Sequence, residues 1–205
     1  MPSPVVGLTG GIGCGKSAVA RLFAGHGIPC VDTDTVAHAL TAPGGAAMPA
    51  IVAAFGAGMQ QADGAMNRAA MRELVFAQPQ QRQVLEGILH PMIHAESLRQ
   101  LAQLSAPYCL LAVPLLFESQ RYQQLIARSL LVDCAVPTQI ERVMARNGMT
   151  EAQVRAIIAA QMGRAQRLAL ADDVLPNDGD LAELALLVAA KHRYYLACFG
   201  IADPA

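Results

Sequence analysis

Between an apolar run at residues 5–8 and a helical pattern at 17–24, the chain reads Gly10-Gly-Ile-Gly-Cys-Gly-Lys-Ser17. This fits G-x-x-x-x-G-K-[ST], the Walker A pattern of phosphate-binding loops. Its glycines leave room for the backbone to wrap an anion. The loop N–H groups and the positive end of the following helix then face the phosphates. In this pattern Lys16 reaches the β- and γ-phosphates of a nucleotide, and the Ser17 hydroxyl ligates Mg²⁺. One of only two lysines in the chain, Lys16 and Lys191, stands on the required position. A GTPase would add D-x-x-G and N-K-x-D, and neither occurs. A regulatory switch protein is therefore disfavoured.

Outward from the loop, Gly25-His-Gly27 stops the first helix, with glycine supplying a left-handed cap. Residues 28–31 read as a second short strand, ending at Asp32-Thr-Asp34. Strand, turn, helix and strand in this order begin a parallel α/β sheet. Residues 37–105 are mostly helical in pattern, too long for one crossover, and are expected to form an inserted helical subdomain. Asn67 is a plausible N-cap within it. A longer helix over 79–104 is expected to kink or break at His90-Pro91. Further strands are expected at 108–113, 129–132 and 173–175. Pro137 opens a helix carrying Arg142 and Arg146, Thr150-x-x-Gln153 is a capping-box pattern, and a last helix covers about 180–196. The expected fold is a three-layer α/β, doubly wound, parallel five-stranded sheet. Its core spans about 1–38, 106–136 and 172–205, with the helical insertion at about 39–105 and a helical lid at about 137–171.

Composition bounds the function. The 205 residues are 54% hydrophobic and 15% charged, which excludes a disordered chain. No apolar run reaches the ~20 residues of a spanning helix without proline or glycine interruptions. A net charge of −1 disfavours nucleic acid as a partner, and no membrane contact is expected. The five cysteines form no C-x-x-C, and Met1-Pro-Ser-Pro4 lacks the basic flank of a signal peptide. A reducing, cytoplasmic setting is the expectation. An oligomer is possible but not indicated.

Asp32 and Asp34 sit where the second strand should end, and ligands of parallel sheets bind at carboxyl ends of strands. Beside a phosphate loop, such a pair suits the orientation or deprotonation of an acceptor hydroxyl. The competing reading is a solvated pair with Asp34 capping a helix. Arg142 and Arg146 share a helix face, and Arg155, Arg164 and Arg167 follow; a cationic lid over transferred phosphate would use such residues. Asp133 ends an apolar strand but comes late in the chain, and is read as structural. Glu118 is a candidate near Mg²⁺ or substrate, or simply a helix-start acid. His90 either packs or touches an acceptor. A helix N-terminus makes the Cys14 thiol reactive, but only a backbone role is assigned to it.

Taken together, Leu8-Thr-Gly-Gly-Ile-Gly-Cys-Gly-Lys-Ser17, Val31-Asp-Thr-Asp34, Pro43-Gly44, Phe55-Gly56, Asp63-Gly64 with Arg68, Leu89-His-Pro91, Val113-Pro-Leu-Leu-Phe-Glu118 and Ala171-Asp-Asp-Val174 with Asn177 resemble the dephospho-CoA kinase family. The glycine-rich piece is shared by many NTPases. The Asp-x-Asp, His-Pro and Pro-Leu-Leu-Phe-Glu pieces together are far more specific. The resemblance implies a P-loop kinase fold and ATP-dependent phosphorylation of the ribose 3′-hydroxyl of dephospho-CoA, with Mg²⁺. It implies that Gly11, Gly13, Cys14, Gly15, Lys16, Ser17, Ala18 and Asn177 contact ATP. Asp34 would be the base, Lys16 and Arg142 its catalytic companions, and Arg142 and Arg146 lid residues. Thr9, Asp32, Asp34, His90 and Glu118 would lie on the substrate side, the insertion holding CoA. Two departures stand out: Cys14 where the family often has Ser, and Ala18 where it often has Thr. The alternatives are another small-acceptor P-loop kinase, or an ATP-binding regulator without catalysis.

Overall fold

The computed structural model describes residues 3–202, and within them every side chain except that of Gln120. Met1 and Pro2, on which the leader-peptide expectation partly rests, lie outside the described residues. Five strands form one parallel sheet: β1 (Val5–Gly10), β2 (Cys30–Asp32), β3 (Cys109–Ala112), β4 (Arg128–Asp133) and β5 (Asp173–Pro176), in the spatial order β2-β3-β1-β4-β5. β1 is central, pairing Val6 with Leu110 on one side and with Arg128 on the other. The strand sequences VVGLTG, CLLA and RSLLVD are nearly continuous buried runs because helices cover both faces of a parallel sheet. The edge strand β5 alternates instead: Asp173 and Leu175 are buried, Val174 and Pro176 exposed. Proline is tolerated at that edge because no further strand needs its missing N–H.

The chain resolves into two compact units, residues 1–31 with 104–205 and residues 32–103. In the first, α1 (Lys16–Gly25) and α9 (Leu181–Cys198) pack together, and Phe23, Tyr108 and Tyr195 meet with ring centroids 5.6–6.5 Å apart. Around them Val6, Leu8, Val19, Leu110, Leu130 and Val132 are fully buried. Asp180 caps α9 by accepting from the Glu183 N–H at 2.8 Å. β4 and β5 are cross-tied by polar groups. Asp172 accepts from the Ser129 N–H and hydroxyl, each at 2.7 Å. Asp173 accepts from Arg128 Nε at 2.8 Å, Lys191 Nζ at 3.1 Å and the Tyr195 hydroxyl at 3.2 Å. Between β4 and β5 run α6 (Val136–Asn147), α7 (Glu151–Ala160) and α8 (Arg164–Leu170). The capping box at the start of α7 is complete, with Thr150 and Gln153 each bonding the other's backbone N–H.

The second unit is helical: α2 (Thr33–Leu40), α3 (Met48–Phe55), α4 (Arg68–Ala77) and α5 (Pro79–Gln103). Its caps are local. Asp32 accepts from the Asp34 N–H at 2.9 Å, and Asn67 accepts from the Ala70 N–H at 3.2 Å. Helix begins at Thr33, immediately after β2 and ahead of the expected start at 37, because Asp32 caps it. One expectation is corrected here. α5 continues through Pro91 as a single helix of 25 residues. Proline withholds only the bond to the Gly87 carbonyl, and the flanking turns on both sides hold the helix together.

Candidate active site

The loop between β1 and α1 is shaped by two glycines. Gly15 is the N-cap of α1 at φ 91°, in the left-handed region that a Cβ disfavours. A Cβ at that position would also collide with the Asn177 amide nitrogen. Gly11 is closed in by its surroundings: a Cβ there would lie 2.7 Å from Gln139 Nε2 and 2.9 Å from Arg167 Nη2. The loop is thus gripped from behind and above by residues far away in sequence. Gln161 Oε1 accepts from the Ile12 N–H at 3.1 Å. The Asn177 amide donates to the Cys14 carbonyl at 2.7 Å. Ile12 packs against the apolar cluster of Ile140, Val143 and Val154 in α6 and α7. What remains turned outward is the start of α1, at Lys16 and Ser17. Ser17 there is exposed and Lys16 half-buried.

Arg167 lies close against the loop at Gly11. It is buried, 6% exposed, with Nη1 donating to the Met162 carbonyl. Its Nε and the nearby Gln139 Oε1 are buried without a protein hydrogen-bond partner among the described residues. No carboxylate forms an ion pair with it among those residues. The other arginines of the segment are occupied differently. Arg164 holds both Asp133 oxygens, at 2.7–3.1 Å, tying α8 to the end of β4. Arg155 pairs with Glu151, and Arg146 donates to the Asn147 side chain. Arg142 donates to the carbonyls of Asn177 at 2.8 Å and Gly179 at 3.4 Å, in the loop after β5. A cavity of about 100 Å³ opens beside that loop, lined by Pro176, Asn177, Asp178, Glu183, Leu184 and Leu187. Asp178 at its rim accepts from the Ala135 N–H and the Thr138 hydroxyl, which hold its carboxyl below the ordinary value.

The remaining expected site residues fall as follows. Thr9, 1% exposed, donates to the Pro114 carbonyl at 3.2 Å, joining the ends of β1 and β3. Glu118 accepts from the Met162 N–H at 3.1 Å and so anchors the α7–α8 turn. Ala18 N–H bonds the Gly15 carbonyl within the turn. In the helical unit, Asp34 is exposed in the first turn of α2, and Asp32 is the cap of that helix. The alternative in which Asp34 itself caps the helix is therefore corrected. His90 is exposed on α5. Arg68 donates to Thr41 Oγ1 at 2.8 Å and meets His38 Nδ1 at 2.6 Å. Gln139 and Gln161 carry no signal in the sequence, since an amide side chain in α6 or just after α7 matches no motif. Arg167 was one arginine among several, with nothing local to rank it.

No group of three or more His, Cys, Asp or Glu that could hold a metal exists among the described residues. The Ser17 hydroxyl, exposed at the start of α1, suits Mg²⁺ brought by a nucleotide, for that ion keeps several waters and is held by few protein oxygens plus phosphates.

A phosphate loop leaving the central strand of a 2-3-1-4-5 parallel sheet, with helices arching between β4 and β5, places the chain among the P-loop kinases. The dephospho-CoA kinase family model matches residues 4–183. A dephospho-CoA kinase from Chromobacterium violaceum is 59% identical, covering 96% of this chain and 97% of its own. A solved protein from Thermus thermophilus superposes with a TM-score of 0.82 at 32% identity, covering 95% of this chain and 98% of its own. A dephospho-CoA kinase from Campylobacter jejuni shares the fold at a TM-score of 0.65 and 19% identity, covering 95% and 98%. The chain belongs to the dephospho-CoA kinase family.

Proposed function

We propose that this chain transfers the γ-phosphate of ATP to the ribose 3′-hydroxyl of dephospho-CoA, giving CoA and ADP. The observation that carries it is an intact phosphate loop in a chain 59% identical to a relative named dephospho-CoA kinase. In this reading Asp34 accepts the proton of the 3′-hydroxyl, whose oxygen bonds to the γ-phosphorus. The bond from that phosphorus to the β–γ bridging oxygen breaks, and ADP leaves with the electron pair. Such transfer is mainly in-line positioning and charge neutralisation. Lys16 and Arg142 supply charge, as does the buried Arg167 against Gly11. Gly13, Gly15, Lys16, Ser17 and Ala18 hold the phosphates through the backbone of the loop and first turn. The cavity beside Asn177 takes the adenine.

Ser17 is the protein oxygen that would hold Mg²⁺, which neutralises β- and γ-phosphate charge when bound. Thr9, Asp32, His90 and Glu118 are assigned to the acceptor side, the 39–105 segment to CoA binding, and the 137–171 segment to a lid carrying Arg142 and Arg146. Lid closure excludes water, which would otherwise compete as acceptor. A net charge of −1 supports a small-molecule acceptor rather than nucleic acid. No helix among the described residues is long and apolar enough to cross a membrane, and five free cysteines suit the cytoplasm. The test is ADP release from Mg-ATP with dephospho-CoA, AMP, shikimate or no acceptor. Turnover with dephospho-CoA alone is expected. Turnover with a different acceptor reassigns the substrate, and ATP binding without any acceptor-dependent ADP release overturns the kinase reading.

A further inference from the structure

Cys14, in the middle of the phosphate loop, lies 3.2 Å from Cys134, the residue directly after β4, sulfur to sulfur. Both are buried and unbridged. Cys134 donates its S–H to Cys14, and Gln139 Nε2 donates to the same sulfur at 2.9 Å. Two donors on one sulfur, next to the positive end of α1, favour its thiolate. These bonds outweigh burial and bring Cys14 down to about 7. Cys134 is pushed the other way, first by donating to Cys14 and then by burial, and keeps its proton. The phosphoryl transfer described above uses neither sulfur. A thiolate held beside a second thiol is the arrangement from which a sulfenic acid resolves to a disulfide. Most residues around it also shape the phosphate loop: Gln139 touches Gly11, and Asn177 holds the Cys14 carbonyl.

We propose that Cys14 and Cys134 form a reversible redox switch, closed by a small hydroperoxide, that disables the phosphate loop. The Cys14 sulfur attacks the hydroperoxide, the O–O bond breaks, and Cys14 becomes a sulfenic acid while an alcohol leaves. The Cys134 sulfur then attacks the Cys14 sulfur, and the sulfenic hydroxyl leaves with the Cys134 proton as water. Two thiols and one hydroperoxide thus give one disulfide, one alcohol and one water; for hydrogen peroxide the alcohol is a second water. Closing the pair from 3.2 Å to a disulfide bond of about 2.05 Å draws the loop toward β4 by roughly 1 Å. A displacement of that size in a positioning element costs on the order of 100-fold in rate.

The consequence for ATP rests on the proposed nucleotide role of the loop; the cross-link itself does not. The test treats the reduced, nucleotide-free full chain with hydrogen peroxide. Peptide mapping without reductant locates the link, and ATP affinity is measured before oxidation, after it, and after dithiothreitol. The expected result is a Cys14–Cys134 peptide pair and a loss of ATP affinity, restored by dithiothreitol. The Cys134→Ala protein should keep reduced-state turnover and show neither change; Cys134→Ser serves if the alanine variant does not fold. Unlinked cysteines after peroxide, or equal loss of affinity in the Cys134 variant, overturn the switch. Failure of the kinase reading registers separately, as absent acceptor-dependent ADP release in the reduced protein.

Discussion

The sheet unit and the helical unit are held together in opposite ways. Around the phosphate loop the decisive bonds span long stretches of chain: Ile12 to Gln161, Cys14 to Gln139, Cys14 to Asn177, Asp133 to Arg164. Within residues 32–103 most side-chain bonds are local: Asp32 to Asp34, Asn67 to Ala70, Arg82 to Glu86, Arg99 to Glu96. The loop is therefore fixed before any nucleotide arrives, and electrostatic stabilisation depends on such preorganisation. The helical unit relies on local caps and exposed pairs. Its long helix α5 buries little, with Ser97 its buried residue, and Phe76 on α4 is 82% exposed. Long-range ties should thus govern activity, and local ones should barely register.

The contrast can be broken in five places. Lys16→Ala should lower kcat by about 10³-fold or more if Lys16 neutralises the transferred phosphate as proposed; steady-state kinetics reads it. Asp34→Asn tests whether the helical unit supplies chemistry. It should lower kcat by about 10²–10³-fold while ATP affinity stays within about twofold. A kcat near wild type would remove Asp34 from the reaction. Arg167→Ala should weaken kcat/KM for ATP by roughly 10–100-fold, with Arg167→Lys recovering part of it. An unchanged kcat/KM would make Arg167 a purely structural residue.

The fourth concerns pH. Burial pushes the Asp173 carboxyl up, but bonds from Arg128 and Lys191 more than offset this and leave it below its ordinary value. A carboxylate lowered by folding contributes stability that is present above its unfolded value near 4 and lost as pH falls through its folded value. Thermal melts should show stability declining below about pH 4. Asp173→Asn should flatten that part of the decline. The smallest effect is expected at Arg82, whose pair with Glu86 at 2.7 Å is solvent-exposed. Arg82→Ala should shift Tm by about 1 °C or less. A larger drop would mean that the helical unit depends on such pairs after all.

Legibility in the sequence followed the same divide. Asn67 as a cap, the Thr150–Gln153 box and the apolar strands were readable because a cap or a buried strand is encoded within a few residues. Pro91 misled, since the penalty for one missing N–H is local whereas a 25-residue helix is held by all its other bonds. Arg164 and Arg167 look alike in sequence, three residues apart. One turns to Asp133 and is half-exposed, the other turns to Gly11 and is buried.

The sequence by itself determined the phosphate loop, the α/β class and the family, because spacing, glycine and hydrophobic pattern are properties of consecutive residues. Only the tertiary structure decided which distant side chains close around the loop. Gln139, Gln161, Arg167 and Cys134 gain their meaning from crossovers that bring residues more than 100 positions apart to hydrogen-bond distance. No local pattern encodes such a meeting. It follows from strand order, which places β4 and the helices after it beside the end of β1.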